Sequence, residues 1–251
     1  MAEPRLGIDI GGSGIKGAPV DPASGQLTAE RFRLDTPQPA KVAKVVDTVA
    51  AVVEHFGIGG PIGITFPGVV SHGVVRTAAN MHESWIGTDA DALFTERFER
   101  PVLMINDADS AGVAEMRFGA GKGRDGVVVM VTLGTGIGTA VFHDGKLLPN
   151  TEFGHIEIDG KDAEELASGS ARDEQGLSWQ TYAKRVERYL NRVHFLLWPD
   201  LFIIGGGISK KADRFLPLVT VPCEVVPALL LNNAGIVGVA VMADRSVADD
   251  R

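Results

Sequence analysis

The sequence predicts an α/β fold in which one unit occurs twice, giving two lobes around a cleft. Two glycine-rich turns, residues 11–14 and 134–138, each join two apolar strands, and their separation of about 120 residues is typical of a repeated domain. Strands and helices then follow in the same order in each half. The composition, 45% hydrophobic with 31 glycines, fits an α/β protein. We expect a small N-terminal lobe, residues 1–106, completed by a C-terminal helix within 233–251, and a large lobe, residues 107–232.

The first turn combines a carboxylate with a bare backbone. Leu6, Ile8 and Ile10 alternate with small or acidic residues as in a buried strand. Asp9 interrupts that strand, and a carboxylate there is unfavourable unless something cationic faces it. The glycines at positions 11, 12 and 14 let an anion approach the amide N–H groups. The stretch therefore indicates a site for magnesium and a polyphosphate.

The second turn repeats this pattern with a hydroxyl, in Gly134-Thr135-Gly136. A single glycine turn is also typical of a hairpin without a ligand, but two copies favour a grip on one phosphate chain. Each turn leads into a strand rather than a helix, so neither matches the dinucleotide-binding fingerprint. Neither has the order of a P-loop.

Polar residues follow the predicted strands of the first half. Residues 61–66 form a strand that runs into the turn at Gly68, and a polar loop, residues 71–91, contains Asn80. A short strand, residues 101–105, ends in Asn106 and Asp107. Ligands bind at such strand ends in α/β sheets, although Asp107 also fits a helix N-cap. Asn106 fits a site better than a cap. Earlier in the chain, Thr36 is the expected cap of the first helix.

The second half contains a further polar group. Glu152 and His155 flank a glycine soon after the second turn, followed by an acidic helix turn at Glu164 and Glu165. His155 alone would fit a core histidine bonded to backbone. Together, Glu152 and His155 predict a pocket that binds hydroxyl groups.

A long amphipathic helix and a glycine run complete the second half. The helix, residues 179–197, has an apolar stripe and a basic face that is either solvated or guides a polyanion. A buried strand, residues 201–204, then leads into Gly205, Gly206 and Gly207 and a helix from residue 209. This glycine run indicates another contact to an anion or nucleotide.

The composition also excludes several classes. Cys223 is the single cysteine, which excludes an internal disulfide and a cysteine-rich metal site and favours a reducing, cytoplasmic location. The net charge of −8 argues against nucleic-acid binding. No signal peptide or membrane helix is expected.

These residues resemble those of the ROK sugar kinases, which have the actin/hexokinase-like (ribonuclease H-like) fold. Within that family they are most similar to the branch that uses inorganic polyphosphate. The resemblance covers nearly the whole chain, and the order of its motifs is highly specific. The motifs are GIDIGGSGIKG (7–17), FPG (66–68), NDAD (106–109), TLGTGIG (132–138), EFGHIE (152–157), PDLFIIGGG (199–207) and NAGI (233–236).

The resemblance implies transfer of the terminal phosphoryl group of polyphosphate to the 6-hydroxyl of glucose, giving glucose 6-phosphate. It implies Asp107 as the general base and Asp9 as a ligand of Mg²⁺ through water. The implied glucose-binding residues are Gly68, Asn80, Asn106, Asp107, Glu152, His155 and Glu165. The implied phosphoryl-donor residues are Gly11, Gly12, Ser13, Gly14, Lys16, Thr135, Gly136, Gly205, Gly206 and Gly207.

One departure from the family pattern and two alternatives accompany this interpretation. Most ROK kinases have a cysteine-rich zinc loop after the histidine, and no cysteine lies between His155 and Glu165, so no structural zinc is expected. An ATP-dependent or dual-donor glucokinase or glucomannokinase is the first alternative. A sugar-sensing regulator is the second, disfavoured because only five residues precede the first strand and no DNA-binding module is expected there. The family also implies a homodimer, with the long helix as candidate interface.

Overall fold

The structure, a computed structural model, describes residues 3–78 and 80–249, with side chains to Ala243. Residues 1, 2, 79, 250 and 251, all inside the predicted lobes, lie outside the described residues. The strands are β1 (Arg5–Ile10), β2 (Gly14–Val20), β3 (Phe32–Asp35), β4 (Ile62–Phe66), β5 (Val70–Ser71), β6 (Val74–Val75), β7 (Val102–Asn106), β8 (Val127–Leu133), β9 (Ile137–His143), β10 (Lys146–Leu148), β11 (Glu157–Ile158), β12 (Lys161–Asp162), β13 (Leu201–Gly205) and β14 (Glu224–Pro227). The α-helices are α1 (Val42–Phe56), α2 (Ala90–Phe98), α3 (Asp107–Phe118), α4 (Ala163–Ala167), α5 (Gly169–Glu174), α6 (Trp179–Leu197) and α7 (Ala234–Asp249).

The chain divides into two compact units. The first comprises residues up to Ala114 together with those from Asn233 onward, and the second comprises Glu115–Asn232. The boundary lies inside α3, whereas the sequence places it just before that helix. No helix among the described residues combines the length and apolar character needed to cross a membrane.

The first unit is built on a five-stranded sheet in the order β3-β2-β1-β4-β7. β1, β2 and β3 are antiparallel neighbours, and β1, β4 and β7 are parallel. Gly7 and Gly63 are paired in register, and a Cβ at either would overlap a backbone carbonyl of α7, at Ile236 or Val239. The two glycines therefore let the backbone of α7 lie directly on the sheet.

The second unit repeats this topology. Its sheet has the order β10-β9-β8-β13-β14, with β8, β9 and β10 antiparallel and β8, β13 and β14 parallel. Each position in the first sheet thus has an equivalent in the second. The predicted duplication of one α/β unit is confirmed.

The long helix α6 belongs to the core of the second unit. Tyr182, Tyr189 and Val193 of its apolar stripe are fully buried in the core cluster that also contains residues of β8 and β13, and α6 contacts α4. These residues belong to the core, while Phe195 and Leu196 at the end of the helix are exposed, so the expectation that the helix forms a dimer interface stays a prediction. Two residues of its basic face also have internal partners: Arg185 donates to the Leu166 carbonyl, and Arg188 pairs with Asp159.

Two predicted helix starts differ in the structure. α1 begins at Val42 after Lys41, without a side-chain cap. Thr36 instead donates to the Gly11 carbonyl, at 2.5 Å. The segment after Gly206 is a 3₁₀ helix, Gly207–Arg214, with non-helical dihedral angles at Lys211. Because that helix is short and kinked, it offers an anion less than the predicted α-helix would.

Candidate active site

The turn between β1 and β2 is held by side chains on one side. The carbonyl oxygen of Gly11 accepts from Thr36, that of Gly12 from Gln38, and that of Ser13 from Arg33. In a planar trans peptide the N–H of the next residue points opposite to the carbonyl. The N–H groups of residues 12, 13 and 14 therefore point away from the segment 33–38. Amide donors on one side of a glycine turn are suited to an anion.

Asp9 is fully engaged at the base of this turn. Its Oδ2 lies 2.8 Å from Lys16 Nζ, and its Oδ1 accepts from Thr65 Oγ1 at 2.6 Å. Register explains the first contact, because Asp9 and Lys16 are directly paired on β1 and β2. Gly235, near the start of α7, also lies close, since a Cβ there would be 3.6 Å from the Asp9 carboxyl carbon. The cation that the sequence requires beside Asp9 is Lys16.

The N-cap of α3 is Asn106 and not Asp107, for which the sequence left the N-cap role open. Asn106 is buried, and its Oδ1 accepts from the N–H groups of Ala108 and Asp109 at 2.8 and 3.0 Å. It is therefore the N-cap of α3. Its Nδ2 donates to the Gly68 carbonyl at 3.1 Å, which ties the turn after β4 to the end of β7. Asp107 is exposed in the first turn of α3, and its Oδ1 accepts from the Ala108 N–H.

Two other predicted glucose-binding residues lie close to these elements. Asn80 has a left-handed backbone, with φ of 58°, and its Cβ lies 3.1 Å from where a Cβ of Gly12 would be. Gly68 packs so closely on the Thr77 carbonyl that any side chain would overlap it. The first unit thus brings the predicted sugar residue Asn80 beside the predicted donor turn.

The turn between β8 and β9 has a different set of supports. Gly134 donates to the Gly136 carbonyl at 3.0 Å, and the Gly134 carbonyl accepts from Ser170 at the start of α5. Glu164 Oε2 accepts from the Ile137 N–H at 3.2 Å and covers Gly136, where a Cβ would overlap it. Thr135, at the tip, is exposed.

The glycine run after β13 packs beside this second turn. Gly206 has φ of 79°, and a Cβ there would press on the backbone of Leu133. Two of the predicted donor elements of the second unit therefore lie next to each other.

A cluster of titratable side chains surrounds His155. Its Nδ1 lies 2.9 Å from Asp162 Oδ2 and 4.0 Å from Glu164 Oε1, and its Nε2 lies 4.0 Å from Glu152 Oε2. The hydrogen bond to Asp162, supported by the charges of Glu164 and Glu152, raises the pKa of His155 above 6.5. Burial raises the pKa of Glu152 above 4.5. The cluster offers carboxylate acceptors and a ring N–H donor, the kinds of group that form hydrogen bonds with hydroxyls.

The acidic residue of α4 in this cluster is Glu164 and not Glu165. Glu165 is exposed, whereas Glu164 reaches both Ile137 and His155. Ala163 and Ala167, four residues apart, form the buried face of α4, and Glu164 is next to that face. The spacing of these two alanines is the sequence feature that could have identified Glu164 as the acidic residue beside the buried face of α4. Asp162 was also missed, and no sequence motif marks it.

Comparison with known proteins places the chain in a family. The model of the ROK family matches residues 5–175. The chain is 55% identical over 245 residues to the polyphosphate glucokinase of Mycobacterium tuberculosis, covering 97% of this chain and 91% of that protein.

Two solved structures extend the comparison. The inorganic polyphosphate/ATP-glucomannokinase of Arthrobacter sp. strain KM is 53% identical, with a TM-score of 0.93 over 98% of this chain and 100% of that one. A ROK family glucokinase of Streptomyces griseus, crystallised with glucose and AMPPNP, is 26% identical, with a TM-score of 0.82 over 96% and 99%. The family match, the near-complete overlap and the duplicated sheet agree: this chain belongs to the ROK family and has the actin/hexokinase-like fold of its sugar kinases.

Proposed function

We propose that this chain transfers the terminal phosphoryl group of inorganic polyphosphate to the 6-hydroxyl of glucose, giving glucose 6-phosphate. The observation that carries this proposal is the nearly full-length similarity to a mycobacterial polyphosphate glucokinase. The arrangement of each unit supports it: the first has a glycine turn held through its carbonyls and the exposed residue Asp107, and the second has a second glycine turn beside a polar cluster.

The donor is held mainly by backbone groups in this proposal. The N–H groups of residues 12–14 meet phosphate oxygens in the first unit, and the turn at Thr135 and Gly136 does so in the second. Such contacts recognise charge and shape rather than a base, which suits a polymer of identical phosphates. ATP is the alternative or additional donor, because the Arthrobacter relative is named for both. Gly205, Gly206 and Gly207 would then line the nucleotide.

Glucose hydroxyls are assigned to the polar groups of both units. Glu152, His155 and Glu164 supply two carboxylates and a ring nitrogen, with Glu164 taking the role first given to Glu165. Asn80, Asn106 and the Gly68 turn remain proposed sugar contacts. Since Asn106 Oδ1 already accepts two N–H groups, we assign its sugar contact to the second hydrogen of Nδ2.

Asp107 is the proposed acceptor of the proton from the 6-hydroxyl. It is exposed in the first turn of α3, and the N-cap of that helix is Asn106 and not Asp107. Phosphoryl transfer requires in-line approach, neutralisation of charge and a base for the attacking hydroxyl. The amide donors of the turns stabilise the oxygens of the transferred group.

Asp9 is the proposed ligand of Mg²⁺, through water. Each oxygen of Asp9 already has one protein partner, Lys16 or Thr65, and a water-mediated contact leaves both of these in place, since Mg²⁺ commonly retains several of its waters. A bound Mg²⁺ would neutralise charge on the phosphoryl donor. Lys16, paired with Asp9, keeps a positive charge next to the turn.

The test supplies the purified protein with glucose, Mg²⁺ and either polyphosphate or ATP, and measures glucose 6-phosphate. We expect product with polyphosphate, and an apparent KM for polyphosphate that rises steeply with salt because the donor is recognised by charge. Product with ATP alone would favour the ATP-dependent alternative. Absence of product with both donors would refute the kinase proposal. Mannose in place of glucose tests the glucomannokinase alternative.

The assembly and location are also proposals. We propose a homodimer in the cytoplasm, supported by the family resemblance and by the single cysteine, Cys223. Light scattering coupled to size-exclusion chromatography measures the mass directly, and a monomer mass would refute the dimer.

A further inference from the structure

The ring of His155 is oriented by one carboxylate. A carboxylate has no proton to donate at neutral pH, so in the 2.9 Å contact Nδ1–H donates to Asp162 Oδ2. The proton on Nδ1 is therefore fixed, and Nε2 is the atom whose protonation changes. That nitrogen lies on the side of Glu152, 4.0 Å from its carboxylate.

The side chain of Asp162 contacts His155 and does not cap α4. It stands at the N-cap position of α4, where an aspartate ordinarily accepts from the backbone N–H groups of the first turn. Here no side-chain cap hydrogen bond forms. The carboxylate turns instead to His155, so the local geometry favours orientation of the ring over capping of the helix.

The position of Asp162 is itself braced. Asp162 ends the β11–β12 hairpin, in which it is paired with Glu157. The turn of that hairpin, Asp159 and Gly160, has positive φ at both residues. Arg188 of α6 holds both carboxylate oxygens of Asp159. The hairpin is thus anchored to the core helix of the second unit.

The charges around the ring all act in one direction. Asp162, Glu164 and Glu152 face His155 from β12, α4 and the turn before the ring, and all three favour the imidazolium form. In that form Nε2–H donates, and next to the Glu152 carboxylate it forms a donor–acceptor pair. A hydroxyl group, which donates one hydrogen and accepts another, matches this pair.

We propose that Asp162 is a positioning residue for the sugar site: by holding Nδ1–H of His155, it directs Nε2 and Glu152 together at one hydroxyl of the substrate. The proposal rests on the proposed function for the identity of the ligand. The orientation of the ring does not depend on that function and can be measured without it.

The first experiment is ¹⁵N NMR of the histidine rings in the protein without substrate, followed as the pH is raised until the His155 signals stop changing and the ring is neutral. The signal of His155 is identified by its loss in His155→Gln. We expect wild-type His155 to carry its proton on Nδ1. In Asp162→Ala we expect the proton to move largely to Nε2, the tautomer that a free imidazole prefers. A wild-type ring protonated on Nε2, or an unchanged ring in Asp162→Ala, would overturn the proposal.

The second experiment measures glucose kinetics in the same variants. We expect Asp162→Ala to raise the KM for glucose about tenfold with kcat within about twofold, since it loses one hydrogen bond to a charged group. Asp162→Asn keeps the shape and an acceptor oxygen, and should raise KM less than about threefold. An Asn variant as impaired as the Ala variant would overturn the proposal.

A matched control removes a neighbouring charge. Glu157→Gln neutralises an exposed carboxylate on the same hairpin, and we expect it to change neither the tautomer nor KM. Circular dichroism checks that each variant folds. Metal analysis adds a further outcome: a bound divalent ion lost in Asp162→Ala would mean that the cluster holds a cation, and would overturn the positioning role. If no donor phosphorylates glucose, the proposed function fails while the NMR result still stands.

Discussion

Replacing Asn106 by alanine removes three hydrogen bonds from one buried side chain. Two of them cap α3, and the third satisfies the carbonyl of Gly68, which is itself buried. Loss of an N-cap costs about 1 kcal/mol, and a buried carbonyl left without a partner costs about 1–3 kcal/mol. We therefore expect the free energy of unfolding to fall by about 2–4 kcal/mol.

Urea unfolding followed by circular dichroism measures this change, with the m value compared between variants. Asp89→Ala is the matched control, because Asp89 is an exposed N-cap of α2 that accepts from Ala92 N–H and has no counterpart to the Gly68 bond. We expect that control to lose about 1 kcal/mol. If Asn106→Ala lost no more than Asp89→Ala, the contribution assigned to the Gly68 contact would be refuted.

Three further predictions concern catalysis and pH. Asp107→Asn should lower kcat by about 10²–10⁴-fold, the usual contribution of a general base, while calorimetry shows glucose still binding. Glu164→Gln should raise the KM for glucose about tenfold, and Glu165→Gln less than twofold, because only Glu164 reaches the cluster. Burial raises the pKa of Asp91 to about 6 from 3.8, so the folded state binds that proton more tightly than the unfolded chain. Relative to Asp91→Asn, the unfolding free energy of the wild type should therefore decline as pH rises from about 4 to 6.

Each of these three predictions would be contradicted by a specific result. Near-normal turnover of Asp107→Asn would remove Asp107 from its role. Equal effects of Glu164→Gln and Glu165→Gln on the KM for glucose would contradict the assignment of the sugar contact to Glu164 rather than Glu165. Urea unfolding of the Asp91 pair at about pH 4 and pH 7 checks the third, and parallel pH dependence would mean that Asp91 titrates normally when folded.

The duplicated fold was predictable because its signals are local and repeated. The alternation in β1 and the glycine turns at residues 11–14 and 134–138 need no distant partner to be recognised. The fold of both halves follows from these patterns together with the order of the strands.

The details of the site were less predictable, because they depend on contacts between distant segments. Asn106 and Asp107 are both residue types that cap helices well. Asn106, the residue that caps α3, also donates to the Gly68 carbonyl, which lies 38 positions away in the sequence and comes close only in the folded chain. Thr36 was expected to cap a helix but bonds to Gly11, 25 positions away. From the sequence alone, the apolar stripe of α6 fits either a protein core or an interface. The packing of Tyr182, Tyr189 and Val193 shows that these residues belong to the core.

The three hydrogen bonds that hold the turn at residues 11–14 have a consequence for the affinity of the proposed phosphoryl donor. Because Arg33, Thr36 and Gln38 fix the three carbonyls before any ligand arrives, the entropy of ordering this loop is lost during folding and not during association. In the proposed function, affinity for the phosphoryl donor therefore depends on three side chains that lie on the opposite side of the turn from its N–H groups. We expect substitution of Thr36 to raise the KM for polyphosphate, because the glycine turn is then less ordered before the donor binds.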